Sequence, residues 1–223
     1  VIPEYTKLNR FGADCHLLQL DPAKFRFQVT NIGFQTVSQA AAMTGAEIVV
    51  NGDGWGLPGV AKGKPNSICY SDGRAIQTKR YSFRPWVNFS REGRVSFNWR
   101  NPYGLYNAVS GDRYLMAYGV FNIAIRDRHI KNARTVIGVD KSGIVLLMVV
   151  DGWDVRPGYE PQGLTFPEIG SVLAEFNCET AINLDGGGSS AMAIQGQIVN
   201  QPNDDGVFGE RAVVNHLAVY RLR

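Results

Sequence analysis

Long apolar runs are missing from this 223-residue chain: the longest, residues 144–150 (IVLLMVV), falls well short of the roughly 20 residues a membrane-crossing helix needs. Such a run reads as a buried strand. Cysteine is scarce, and Cys15, Cys69 and Cys178 are far apart, odd in number and outside any CxxC pair, so at most one disulfide can form. The three histidines, His16, His129 and His216, show no metal-ligand spacing and no HExxH, which argues against a catalytic zinc; His216 reads as a core residue. Charge of one sign is lacking too. The 23 Lys and Arg against 20 Asp and Glu leave a formal +3, which permits phosphate ligands without demanding a polyanionic partner. No signal peptide is visible and the chain opens on Val1 instead of Met, so the start reads as a processed end or a boundary within a larger parent chain.

Apolar and turn-forming residues are plentiful. A 44% hydrophobic share marks a folded globular chain, and 25 Gly scattered without a period mark many turns. The expectation is one domain over residues 1–223 with more strand than helix, burying about 70 to 75% of its unfolded surface.

Residues 25–32 alternate as a strand, and 36–45 follow as an Ala-rich helix closed by Gly45. A buried strand at 47–50 then runs into Asn51-Gly52-Asp53-Gly54-Trp55. Residues 79–106 read as hairpins, and strands follow at 114–125, 134–140, 143–150 and 213–221. After the Pro- and Gly-rich loop 156–163, Thr165 with Glu168 opens a second helix in a capping arrangement. A strand at 180–184 enters Asp185-Gly186-Gly187-Gly188-Ser189-Ser190, and a hairpin follows over 191–200. These elements imply an α+β fold of mixed, largely antiparallel sheets wrapped around a few helices. The order helix, strand, Asn-x-Asp occurs twice, ending at Asp53 and at Asp185. It suits two pseudo-symmetric halves with the site between them, and it equally suits coincidence. Asp53 and Asp185 on opposite faces would end the first idea.

Three consecutive glycines after an apolar strand leave a path bare of side chains, where ligand atoms can reach backbone amides. The run suits an anion or sugar-phosphate cradle, or a tight turn ahead of the hairpin. It lacks both the Gly-Lys-Ser/Thr of a P-loop and the GxGxxG spacing. Carboxylates recur before glycine at strand ends, in Asp53-Gly54, Asp151-Gly152 and Asp185-Gly186. Converging, they would supply paired carboxylates for glycoside chemistry; singly, each is an ordinary turn signal. Asp204-Asp205-Gly206 reads as such a turn, and DxDxDG calcium spacing is missing. Ser189 and Ser190 lack a GxSxG elbow and suit hydrogen bonding. Arg134, opening a strand with Thr135, can hold a phosphate through its planar fork or form a surface ion pair. A basic, aromatic stretch with Arg84, Trp86, Trp99 and Tyr103 could stack on sugars or single-stranded bases. Hairpin packing accounts for most of it, and nucleic acid is not expected.

The sequence resembles the phosphodiester glycosidase family. Val50-Asn51-Gly52-Asp53-Gly54-Trp55 stands for an NGGFF-like turn, Arg134-Thr135-Val136-Ile137-Gly138 for RTAIG, and Val149-Val150-Asp151-Gly152 for the start of VVDGR. Gly163-Leu164-Thr165-Phe166-Pro167-Glu168, the Asn183 to Ser190 loop and the Gly209 to His216 segment continue the match in order, so that it covers the chain from about residue 35. Asp53 and Trp55 replace a Gly and a Phe of the family pattern, Trp153 stands where Arg is common, and Ala212 replaces a Pro.

The resemblance implies hydrolysis of a sugar 1-phosphodiester at the anomeric carbon, releasing sugar and a phosphomonoester. The leaving group is already a stabilised anion, so a carboxylate facing the oxocarbenium-like centre and cations on the phosphate matter more than a strong general acid. Asp185 is then the nucleophile or base, with Glu210 and Asp151 as further catalytic carboxylates. Arg134 and Arg211 hold phosphate with the Gly186, Gly187, Gly188, Ser189 and Ser190 loop; Asn51, Gly52, Asp53 and Thr135 face the substrate. No cofactor or metal is expected, and the resemblance implies a glycan or sugar-phosphate substrate and an extracellular, envelope or virion setting. The alternative is a non-catalytic sugar-phosphate binding module of a phage tail or cell-envelope assembly.

Overall fold

Phe25, Phe27 and Val29 are buried while Arg26 between them is exposed, the period of two that defines a half-covered strand. The computed structural model describes residues 4–98, 100, 102–125, 129–152, 162–204 and 207–222. Val1, Trp99, Trp153, residues 156–161, Asp205 and Gly206 lie outside them.

Three antiparallel sheets dominate. The first orders Glu4–Arg10, Ala13–Leu20, Val145–Val150, Arg134–Asp140, Cys178–Asn183, Arg113–Ala117 and Val120–Phe121. The second orders Gln197–Ile198, Met192–Ile194, Ile48–Asn51, His216–Arg221 and Phe25–Val29. A third, of Arg74–Gln77, Cys69–Ser71, Asn107–Ser110, Trp86–Phe89 and Val95–Asn98, is inserted after the second sheet's Ile48–Asn51.

Alternation sorts each central strand between two cores. Ile48 and Val50 join Leu147, Val149, Ile137, Phe27 and Phe89 in the core between the sheets. Val49, on the opposite face, meets Val37, Ala40 and Ala41 of helix α1 (Val37–Thr44). Likewise Leu146, Met148 and Val150 turn away to meet Ile169, Val172 and Leu173 of helix α2 (Phe166–Glu175). Each fully buried aliphatic side chain contributes roughly 1.5–3 kcal/mol, so both faces of these strands are worth covering. The helices therefore lie outside the sheets. Both begin with reciprocal caps, Thr36 with Gln39 and Thr165 with Glu168, that satisfy otherwise orphaned amides.

The α+β expectation is thereby corrected. Strand takes 45% and helix 10%, so the fold is mostly β, and the sheets pack on one another instead of wrapping around helices. Among the described residues only the two capped stretches form α-helices, and one helix suffices to cover each outer face.

Strand order places equivalent parts in equivalent positions. In the second sheet a hairpin (Met192–Ile194, Gln197–Ile198) borders the helix-following strand Ile48–Asn51; in the first, a hairpin (Arg113–Ala117, Val120–Phe121) borders Cys178–Asn183. Each hairpin comes from the chain that follows the other sheet's helix-following strand. The sheets exchange hairpins, and the loops after Asn51 and Asn183 meet: the Asp185 amide donates to the Gly52 carbonyl at 3.0 Å.

Candidate active site

Asp185 is positioned by backbone at the end of Cys178–Asn183. Besides its amide bond to Gly52, its carbonyl accepts from Asn51 Nδ2 at 2.9 Å, and the preceding Leu184 amide donates to the Thr135 carbonyl at 2.8 Å. Its side chain stands on a wall shared by two hollows. The larger, of about 790 Å³, is lined by Gly54, Leu57, Asn66, Phe83, Arg84, Arg113 and Ile125 among others. The smaller, of about 250 Å³, is lined by Asn132, Arg134, Gly186, Gly187, Gly188 and Arg211. Asp112 lines both hollows beside Asp185.

Burial pushes the Asp185 carboxyl above its ordinary value; the Ser189 hydroxyl, the Gly186 amide, and the Arg211 and Arg84 guanidiniums pull against that rise. Burial likewise pushes Asp53 up to about 7 against the pull of Arg84, and the charge of Asp185 adds to the rise. The two carboxyls therefore repel each other across the joined loops.

Two guanidiniums border the smaller hollow. Arg134 lies over the Phe166 ring, 4.1 Å from Cζ to the centroid, and donates to the Ile130 carbonyl at 3.1 Å. Phe166 opens α2, so the helix start fixes the guanidinium. Arg211 donates through Nε to Asp204 at 2.7 Å and packs against the glycine run. A Cβ at Gly188 would stand 2.7 Å from Arg211 Nη2, so only glycine admits this approach. The loop amides are partly engaged already, Gly187 with the Ala133 carbonyl at 2.9 Å and Ser190 with the Gly187 carbonyl at 3.0 Å. Two guanidiniums over bare main chain suit an anion with several oxygens.

The residues named from sequence fall in different places. Asp185, Arg134, Arg211, Gly186, Gly187 and Gly188 line the smaller hollow together. Asn51, Gly52, Asp53 and Thr135 are buried and line neither hollow. They support the loop from behind: Asn51 Oδ1 accepts from Thr135 Oγ1 at 2.7 Å and from the Ala191 amide at 3.2 Å. Ser189 and Ser190 are buried behind the glycines.

Glu210 and Asp151 are not brought to Asp185. Glu210 accepts the Ser38 amide at 2.8 Å in the first turn of α1, where backbone donors are free. Asp151 lines a separate hollow of about 220 Å³. Its Oδ2 lies 3.1 Å from His16 Nε2 and its Oδ1 accepts the Gln201 amide at 2.8 Å.

Nothing in the sequence singles out Asp112, Arg113, Asn132 or Asn66, and Arg84 stands there only within a basic stretch. Asp112 follows a glycine instead of preceding one, the reverse of the order that drew notice to Asp185. Gly111 was the available signal: a Cβ there would fall 2.2 Å from the Asn183 carbonyl oxygen, so the turn presses directly on the strand that carries Asp185.

Among the described residues no group of three or more His, Cys, Asp or Glu is placed to hold a metal ion, and no helix is long and apolar enough to cross a membrane. All three cysteines are buried and free.

The model of the phosphodiester glycosidase family matches residues 44–220. The chain belongs to that family. It is 27% identical over 214 residues to the SPbeta prophage-derived uncharacterized protein YomE of Bacillus subtilis, covering 90% of this chain and 31% of that protein. It is 35% identical over 86 residues to N-acetylglucosamine-1-phosphodiester alpha-N-acetylglucosaminidase of Bos taurus, covering 39% of this chain and 15% of that protein. The chain thus spans under a third of the length of these curated relatives. Among solved structures, the zebrafish N-acetylglucosamine-1-phosphodiester alpha-N-acetylglucosaminidase catalytic domain, auto-inhibited by its pro-peptide, superposes with a TM-score of 0.78 at 18% identity, covering 97% of this chain and 81% of that one. A hypothetical protein from Synechocystis gives 0.77 at 12% identity, covering 98% and 61%. At such identities the structural likeness bears on the fold alone.

Proposed function

We propose that this phosphodiester glycosidase domain hydrolyses a sugar 1-phosphodiester at the anomeric carbon, with the sugar in the larger hollow and the phosphate in the smaller. The observation that carries this reading is the place of Asp185, on the wall common to a roomy hollow and a smaller one bordered by Arg134, Arg211 and the glycine run. Arg134 and Arg211 hold the phosphate and stabilise the charge it takes up as the C1–O bond breaks. Asp185 faces the cationic anomeric centre and acts as nucleophile or as base toward water. Its raised proton affinity, caused by burial, suits a group that accepts the proton released by the attacking water. Asp112, at its side in both hollows, is the second carboxyl. The glycosyl oxygen leaves with the phosphomonoester, and water supplies the new anomeric hydroxyl. The activity that names the bovine relative supports an N-acetylhexosamine as the first sugar to try, and the prophage relative supports a phage-borne parent chain.

The test is a panel of glycosyl phosphodiesters incubated with purified protein, scored for free sugar and phosphomonoester together. Release of both supports the reading. Binding measured by calorimetry without either product would leave a sugar-phosphate binding module in its place.

A further inference from the structure

One buried guanidinium in the larger hollow has no part in the phosphate site. Arg84 is 6% exposed, yet it lines that hollow with Gly54, Asn66 and Asp185. It belongs to the inserted third sheet, just ahead of Trp86–Phe89, and its amide closes a turn on the Tyr81 carbonyl at 3.0 Å. Its Nη2 donates to Asp53 Oδ1, while Asp53 Oδ2 accepts the Ser67 amide at 3.0 Å. Asp53 is 0% exposed and reaches neither hollow, so its carboxylate is spent on the Arg84 guanidinium and the Ser67 amide. Arg84 Nε, in contrast, is buried and has no hydrogen-bond partner. Folded proteins leave few buried donors unpaired unless a ligand or ordered water completes them. Asp185 stands close by, since a Cβ at Gly54, next to Asp53, would lie 3.1 Å from its Oδ1.

We propose that Arg84 is a sugar-binding residue of the larger hollow, offering Nε–H to an oxygen of the sugar beside Asp185, with Asp53 as the positioning residue. The inference rests on the reading that this hollow takes the sugar. Above about pH 7, where Asp53 is ionised, it balances the guanidinium charge, so the oxygen Arg84 suits there is neutral, a hydroxyl or an acyl carbonyl, and not a second phosphate. Arg113 in the same wall is balanced in the same way, donating through Nε to Asp112 at 2.7 Å.

Calorimetric titration with N-acetylglucosamine 1-phosphate and, separately, with inorganic phosphate tests this. The unmutated protein binds the sugar phosphate more tightly than phosphate; equal affinities would overturn the proposal. Arg84→Lys keeps a cation opposite Asp53 but loses the fork, and should bind the sugar phosphate roughly tenfold more weakly while binding inorganic phosphate unchanged. A double variant, Arg84→Gln with Asp53→Asn, removes both buried charges together, so neither is left unpaired, and should show the same selective loss. A folded variant of either kind with wild-type affinity for the sugar phosphate overturns the proposal. Arg84-dependent sugar binding without hydrolysis would retain this inference and remove the glycosidase reading; hydrolysis with Arg84-independent binding would do the reverse.

Discussion

Asn51 donates its side-chain amide to the Asp185 carbonyl at 2.9 Å, so the first loop holds the second in place. The same side chain accepts from Thr135 and from the Ala191 amide, tying together three segments that are distant in sequence. Asn51→Ala leaves buried groups unpaired, at about 1–3 kcal/mol each. The expected outcome is a lower melting temperature together with reduced turnover of a glycosyl phosphodiester. A variant that melts with the wild type would show the tie to be dispensable.

Asp185→Asn preserves shape and removes a charge that burial already disfavours. Thermal unfolding should be unchanged or shifted upward, while turnover falls roughly 10²- to 10⁴-fold, the range for a group that handles protons in the reaction. Wild-type turnover in a folded Asp185→Asn protein would remove the carboxylate from the mechanism.

Gly188→Ala places a methyl where the Arg211 guanidinium rests. Because the displaced atoms end a flexible side chain, the fold should survive with a small change in melting temperature. Affinity for inorganic phosphate should drop roughly tenfold, the scale of one charge-assisted hydrogen bond. Arg211→Ala should lower it as much, and the two substitutions together should add little further.

Two buried groups give opposite pH dependences. Burial lowers His216 from 6.5 to about 4, against the pull of the Gln35 carbonyl. The unfolded chain thus takes up this proton first, and the stability tied to the neutral ring is present above 6.5 and lost as pH falls toward about 4. Asp53, raised from 3.8 to about 7, favours the native state fully below 3.8 and ceases to as pH rises through about 7. Urea midpoints measured from pH 4 to 8 should show the acid-side loss disappear in His216→Gln, which is less stable overall. In Asp53→Asn, the decline toward neutral pH should disappear instead. Parallel profiles for wild type and both variants would refute the assignments.

Much of the site was readable because its chemistry is local in sequence. The glycine run after an apolar strand marks Asp185, and the basic residues opening Arg134–Asp140 and preceding Val213 mark the cations, which the structure gathers at one hollow. Burial was not readable. Asn51 and Asp53 look like ligand contacts because they sit beside glycines at a strand end, and Thr135 because it follows Arg134, but all three are buried and their side chains are spent on protein groups. Ala13–Leu20 escaped notice because both its faces are covered, so its apolar residues do not alternate. Arg84 and Asp112 reach the site only through the packing of the inserted sheet and its exit turn, a long-range relationship with no periodic trace.

The exchange of hairpins ties the timing of folding to the whole chain. Ile48–Asn51 is flanked by Met192–Ile194 and His216–Arg221, so the second sheet cannot close until residues from the far end of the sequence have left the ribosome. Pairings of such separation form slowly, and until they do the apolar faces of Ile48–Asn51 and Phe25–Val29 stay open to other chains. Neither sheet is a module that could be cut free and passed to another protein, because each would leave with its neighbour's edge and without its own.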